Sequence, residues 1–249
     1  MSTLADCRFL FCVQEELYAV YRQVLQFACH LRYTKSKSRY WSVLALKAEI
    51  LDLGNRNDKE SRTETAIKEG TALKPMETNR LILRGPCTAD AQSIMEIRNS
   101  EFVLRYNAMC PYSLERTAQQ LERDRESMLV LERKEDGKVI GAVFASADGL
   151  RYQVNACDLA YYLAEEESRK GYMSEALTAL IDQLFADGAE VVSARSFREN
   201  TASRALLQKL GFAYEGCLRK AVRGYQEMVY DDCFYSITKE EYKGRKKDV

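Results

Sequence analysis

Between Leu159 and Phe185 the chain passes from a strand-like run, Leu159-Ala160-Tyr161-Tyr162-Leu163, through Ser168-Arg169-Lys170-Gly171 into a helical pattern of Ala176, Leu177, Leu180, Ile181, Leu184 and Phe185. A strand that ends in a glycine turn and feeds straight into a helix leaves the first N–H groups of that helix without partners. They converge on one spot with the positive end of the helix dipole behind them, which makes an anion site. Two cationic side chains, Arg169 and Lys170, flank it. A phosphate-bearing ligand is therefore expected at Arg169, Lys170, Gly171, Tyr172, Met173 and Ser174. A glycine after a strand also serves as a plain turn, so this stretch by itself does not select the ligand.

Composition narrows the ligand classes. The 37 Lys and Arg residues balance 37 Asp and Glu, so the formal net charge of +0 provides no bulk field for nucleic acid or an anionic membrane. An apolar content of 46% with 30% charged residues suits a globular fold with a sizeable core. No uninterrupted apolar run reaches the length of a membrane span. The eight cysteines are scattered without a C-x-x-C pair, and His30 is the single histidine, so no metal is expected. Unpaired cysteines and an N-terminus without a secretory pattern point to the cytoplasm.

Residues 1–75 read as an extension, and 76–249 as the main domain. In the extension Leu10, Val13, Leu17, Val20, Tyr21, Val24, Leu25 and Ala28 recur at helical spacing, and Val43, Leu44, Leu46, Ile50 and Leu51 suit a second, shorter helix. A polar linker follows at 53–71. Alternation resumes at Met76, which suits a natural initiator. The extension is either a fused helical hairpin or a reading frame extended upstream, and both remain open. Nothing in it carries chemistry, and His30 is given no catalytic role.

From residue 80 onward the pattern predicts a strand (80–85), two helices (from 88 and from 113), strands at 128–134, 138–146 and 153–163, a helix at 173–187, a strand at 191–197, a helix at 200–210, and strands at 212–219 and 228–237. Such an order folds as a mixed sheet with helices on its faces.

A second motif follows the glycine turn: Asn200-Thr201-Ala202-Ser203, Leu206-Leu207, Leu210-Gly211-Phe212 and Tyr214-Glu215-Gly216. The two motifs, with their spacing and strand order, resemble the GNAT acyltransferase superfamily, and within it the ribosomal-protein N-acetyltransferase (RimJ/RimL) branch. The resemblance covers roughly residues 76–242. It implies an α/β (α+β) fold with a mixed, mostly antiparallel sheet of six to seven strands flanked by helices. It implies acetyl-CoA as co-substrate and an amine acceptor, either a peptide N-terminus or a small amine, with direct transfer in a ternary complex. It leaves a homodimer open.

The resemblance also implies roles. The pyrophosphate would rest on the N–H groups of 169–174, and the pantetheine arm along the backbone of Tyr161, Tyr162 and Leu163 and of 195–197. Asn200 would bond that arm, and Ser203 would face the sulfur. Asn200 equally suits a helix cap, and Ser203 equally suits a bond to its own helix backbone. One of Tyr161 and Tyr162 should face the cleft and the other the core. Four positions depart from the family text. Ser168 stands where Arg or Gln usually opens the turn, and Met173 where Gly or Ala is usual. Leu207 stands where many relatives have a tyrosine acid, and Val222 where the branch has a glutamate base. Asp158 is the candidate base in its place, with Glu227, Asp232 or an ordered water as alternatives. The missing tyrosine and glutamate also admit a non-catalytic acyl-CoA binding module.

Overall fold

The short apolar runs become the inner strands of an eight-stranded sheet in the computed structural model, which describes residues 72–108 and 110–247. The two helices, the linker and His30 expected in the first 71 residues lie outside the described residues. In chain order the elements are β1 (Met76–Glu77), β2 (Leu81–Arg84), α1 (Ala91–Asn99), α2 (Glu101–Leu104), α3 (Leu114–Arg123), β3 (Met128–Arg133), β4 (Val139–Ala147), β5 (Ala156–Leu163), α4 (Tyr172–Ala186), β6 (Val191–Phe197), α5 (Thr201–Leu210), β7 (Ala213–Arg223), β8 (Val229–Thr238) and α6 (Lys239–Lys247). The sheet order is β1-β2-β3-β4-β5-β6-β8-β7, and only the β5–β6 pair is parallel.

The period-two pattern divides the core between two faces. In β3, Leu129 and Leu131 point to one side, where Met173, Leu177, Leu180 and Ile181 of α4 and Leu207 of α5 pack. Met128 and Val130 point to the other, where Ile94 and Ile97 of α1 and Leu121 of α3 pack. Four consecutive buried residues therefore mark a strand covered on both sides. Ser113 starts α3 as expected, its hydroxyl accepting from Arg116 N at 3.2 Å.

The sheet has one strand more than the six or seven expected, because Met76–Glu77 pairs with Ile82 and Leu83 of β2. Strand β5 begins at Ala156 rather than at 153, since the Asn155 N–H is taken by Glu190 and its side chain by the Gly188 carbonyl. Strand β7 runs on to Arg223 through two shifts of register against β8. The C-terminal α6 carries almost no apolar periodicity; Tyr242, against Phe185 at 5.2 Å, is its packed contact with the core.

The feature that positions the site is a divergence inside the sheet. Strands β5 and β6 pair only from Ala156↔Val191 to Leu159↔Ala194. Beyond that, β5 continues to Leu163 along β4, and β6 continues to Phe197 along β8. Each is held firmly on its far edge, so a wedge opens between them. The crossover that a parallel pair requires is α4, whose N-terminus follows the diverging end of β5.

Gly141 keeps β4 close to that end. It pairs with Leu163, and a Cβ there would come within 2.5 Å of the Tyr162 carbonyl oxygen. Gly141→Ala is expected to lower unfolding stability by about 1–3 kcal/mol, the usual cost of forcing an extra methyl into packed structure. Urea unfolding followed by circular dichroism measures it, and a midpoint equal to the parent's would show that this approach does not constrain β5.

Candidate functional site

The turn after β5 is built for exposed N–H groups. Arg169 and Gly171 both adopt positive φ, 62° and 87°. The left-handed conformation suits glycine, and Gly171 caps α4 without any side chain to bond the first helical N–H groups. Tyr172 and Met173 turn their side chains into the core, so only their backbone faces the turn. The two flanking cations differ. The Lys170 ammonium pairs at 3.0 Å with Glu167, a buried carboxylate that Arg133 also holds at 2.9 Å. Burial opposes ionisation of Glu167, but these two cations outweigh it and keep the carboxyl below its usual range. Arg169 is exposed and has no ion-pair partner among the described residues. An open groove of about 510 Å³ runs beside the turn, lined by Thr78, Arg80, Gly171, Ser174 and Lys209 among others.

The alternation of β5 sends its two tyrosines to opposite faces. Tyr161 points toward α5, and its hydroxyl lies 2.8 Å from Ser203 Oγ, joining β5 to α5. Burial pushes the Tyr161 phenol up to about 12 against the Ser203 hydrogen bond, so it stays protonated at physiological pH. Tyr162 points into the α1–α3 core near Phe144, and its buried hydroxyl has no hydrogen-bond partner among the described residues. Asn200 acts as the N-cap of α5: its side-chain oxygen accepts from Ser203 N at 3.1 Å. Leu207, at the position where relatives have a tyrosine, is fully buried in the α4–α5 core.

On the other face, at the vertex of the wedge, Asp158 lies one residue before the last β5–β6 pair. Ser193 Oγ is 3.3 Å from its Oδ1, and Arg195 Nε is 3.9 Å from its Oδ2. The same guanidinium reaches Asp232 at 3.4 Å. Burial raises the pKa of both carboxyls, and Arg195 pulls against it. Glu227 sits apart in an exposed turn, paired with Arg223 at 3.2 Å, and Val222 in β7 brings no titratable group. The sequence reading gave Arg195 a backbone role alone and missed its side chain, which bridges two carboxylates from different strands. Its only signal is that Ser193, Arg195 and Phe197 alternate onto one face of β6.

Comparison with known proteins places this geometry. Residues 80–213 match the family model of the acetyltransferase (GNAT) domain. An N-acetyltransferase of Bacillus subtilis (strain 168) named YoaA, itself uncharacterized, is 30% identical over 174 residues, covering 66% of this chain and 96% of the relative. An acetyltransferase (GNAT family) structure from Bacillus anthracis superposes with a TM-score of 0.62 at 20% identity, covering 68% of this chain and 100% of that one. The ribosomal L7/L12 alpha-N-protein acetyltransferase RimL, solved in complex with coenzyme A, superposes with a TM-score of 0.58 at 18% identity, covering 66% and 98%. With the family model spanning more than half of its length and the same fold in these structures, the chain belongs to the GNAT family of acetyltransferases.

Proposed function

We propose that this acyltransferase is an acetyl-CoA-dependent N-acetyltransferase of the RimJ/RimL type, moving an acetyl group directly to an amine in a ternary complex. The wedge between β5 and β6, opening beside the uncapped start of α4, carries the reading. A pyrophosphate suits the N–H groups from Arg169 to Ser174, with Arg169 as the uncommitted cation. A pantetheine arm is a chain of amides, and the backbone edges that diverge at Tyr161, Tyr162 and Leu163 and at 195–197 match it as strand partners would, although the Phe197 carbonyl already accepts from Asn200 N at 2.9 Å. The amide NH₂ of Asn200 remains for the same arm, since only its oxygen is used in the cap. The coenzyme A held by RimL supports this donor.

In the reaction the amine nitrogen attacks the thioester carbonyl, a backbone N–H of β5 takes the developing oxyanion, and the C–S bond breaks to release the CoA thiolate. The Tyr161–Ser203 pair supplies the proton for that thiolate, in place of the tyrosine absent at Leu207. On the opposite face Asp158 takes the proton that the amine must lose. A carboxyl with a raised pKa is a better base for an ammonium than an ordinary one. The catalytic unit is residues 76–249, working in the cytoplasm, with a peptide N-terminus or a small amine as acceptor. A second reading, a non-catalytic acyl-CoA binding module, is favoured by Leu207 and Val222. It expects binding of acetyl-CoA without thiol release.

Thiol release from acetyl-CoA against a panel of amines and short peptides separates the two, and release with no member of the panel sinks the catalytic reading. Gly171→Asp puts a carboxylate against the phosphate site and should weaken acetyl-CoA binding by at least about tenfold, read by calorimetry. Tyr161→Phe and Ser203→Ala should each lower kcat by about 10² with little change in the KM for acetyl-CoA, as expected of a lost proton donor. For Asp158 the sign is set by its role as base. Activity should be lost as pH falls through a pKa above the usual carboxylate range and return as pH rises. In Asp158→Asn that acidic limb should vanish along with most of the rate, and an unchanged limb would remove Asp158 from the mechanism.

A further inference from the structure

Glu175 stands in the first turn of α4, where a carboxylate would compete with an anionic ligand for the helix N-terminus. It is instead occupied by the loop between β1 and β2. Its Oε1 accepts from Thr78 Oγ1 at 2.5 Å and from Arg80 N at 2.8 Å, and its Oε2 accepts from Arg80 Nε at 2.7 Å. The Arg80 side chain then reaches past Glu175 to the turn itself. Nη1 donates to the Lys170 carbonyl at 3.0 Å, and the guanidinium stacks over the Tyr172 ring at 4.3 Å. Any side chain at Gly171 would sit 3.4 Å from Arg80 Nη2. One arginine therefore grips the turn at residues 170, 172 and 175, on both sides of the glycine.

We propose that Arg80 and Glu175 form a single positioning unit for the donor: Arg80 cancels the Glu175 charge and holds the Lys170–Tyr172 turn in the conformation that presents its N–H groups to a pyrophosphate. The proposal rests on the acetyl-CoA reading above. Burial opposes ionisation of Glu175, but the Thr78 and Arg80 hydrogen bonds outweigh it and hold the carboxyl below its usual range, so the pair is an ion pair at neutral pH. Neither residue needs to touch the ligand. A turn fixed beforehand loses less conformational freedom on binding, which is how such a unit raises affinity.

Two donors separate this role from general damage. Acetyl-CoA carries the phosphates, whereas acetyl-pantetheine carries the same thioester and amide arm without them. Arg80→Gln and Glu175→Gln should each raise the Kd and KM for acetyl-CoA about tenfold, the effect of one charge-assisted contact, while turnover of acetyl-pantetheine stays within about twofold. The double variant should be no weaker than either single one, because both remove the same unit. Unchanged acetyl-CoA affinity in both variants would overturn the proposal. So would weak binding in Arg80→Gln with normal or tighter binding in Glu175→Gln, since Arg80 would then act on the ligand by charge alone. Equal losses with both donors would also overturn it, as fold-wide damage. A parent protein that binds no acetyl-CoA sinks the functional reading instead, an outcome distinct from these.

Discussion

Everything at the site depends on two strands that start as neighbours and are then pulled apart. A β-sheet ordinarily leaves no unpaired backbone in its interior, because buried N–H and C=O groups without partners are costly. Here β5 and β6 keep their separation because each is bound along its other edge, to β4 and to β8. The gap is thus a property of the sheet's register, and no loop has to hold it open. The Tyr161 hydroxyl of β5 meets Ser203 of α5 beside it, and Asp158 lies one residue before the last β5–β6 pair.

The wedge joins two environments of opposite character. On the α4–α5 side lie helical N–H groups that no side chain caps, beside Arg169, which has no ion-pair partner among the described residues. On the other side Asp148, Asp158 and Asp232 cluster around Ser193 and Arg195. In the second environment each carboxylate already has a cation beside it: Arg195 stands 3.9 Å from Asp158 and 3.4 Å from Asp232, and Arg151 pairs with Asp148.

Local signals were read well from sequence, and long-range ones were not. Gly171 and Asn200 announce a left-handed turn and a helix cap through their own conformational chemistry, and both do what their residue types favour. The alternation of Tyr161 and Tyr162 requires one on each face, but register decides which. The role of Lys170 changed because Glu167, three residues earlier, is buried and takes its charge. Arg80 was read only as the start of a strand, since its partner Glu175 lies 95 residues away. Two-residue β1 and the charged α6 escaped because neither contains enough apolar periodicity to register.

The strand order has a consequence for how the site comes into being. Among the described residues β8 is the last strand in the chain, yet it lies between β6 and β7. Among the described residues it is the sole neighbour of β6 past Ala194. Without β8, the part of β6 past Ala194 would have both edges bare, whereas β5 would keep its partner β4. The β6 wall of the cleft therefore depends on a strand that follows β5, β6 and α5 in the chain. Pairing between segments so far apart in sequence slows folding, and a strand edge left bare is open to pairing with other chains.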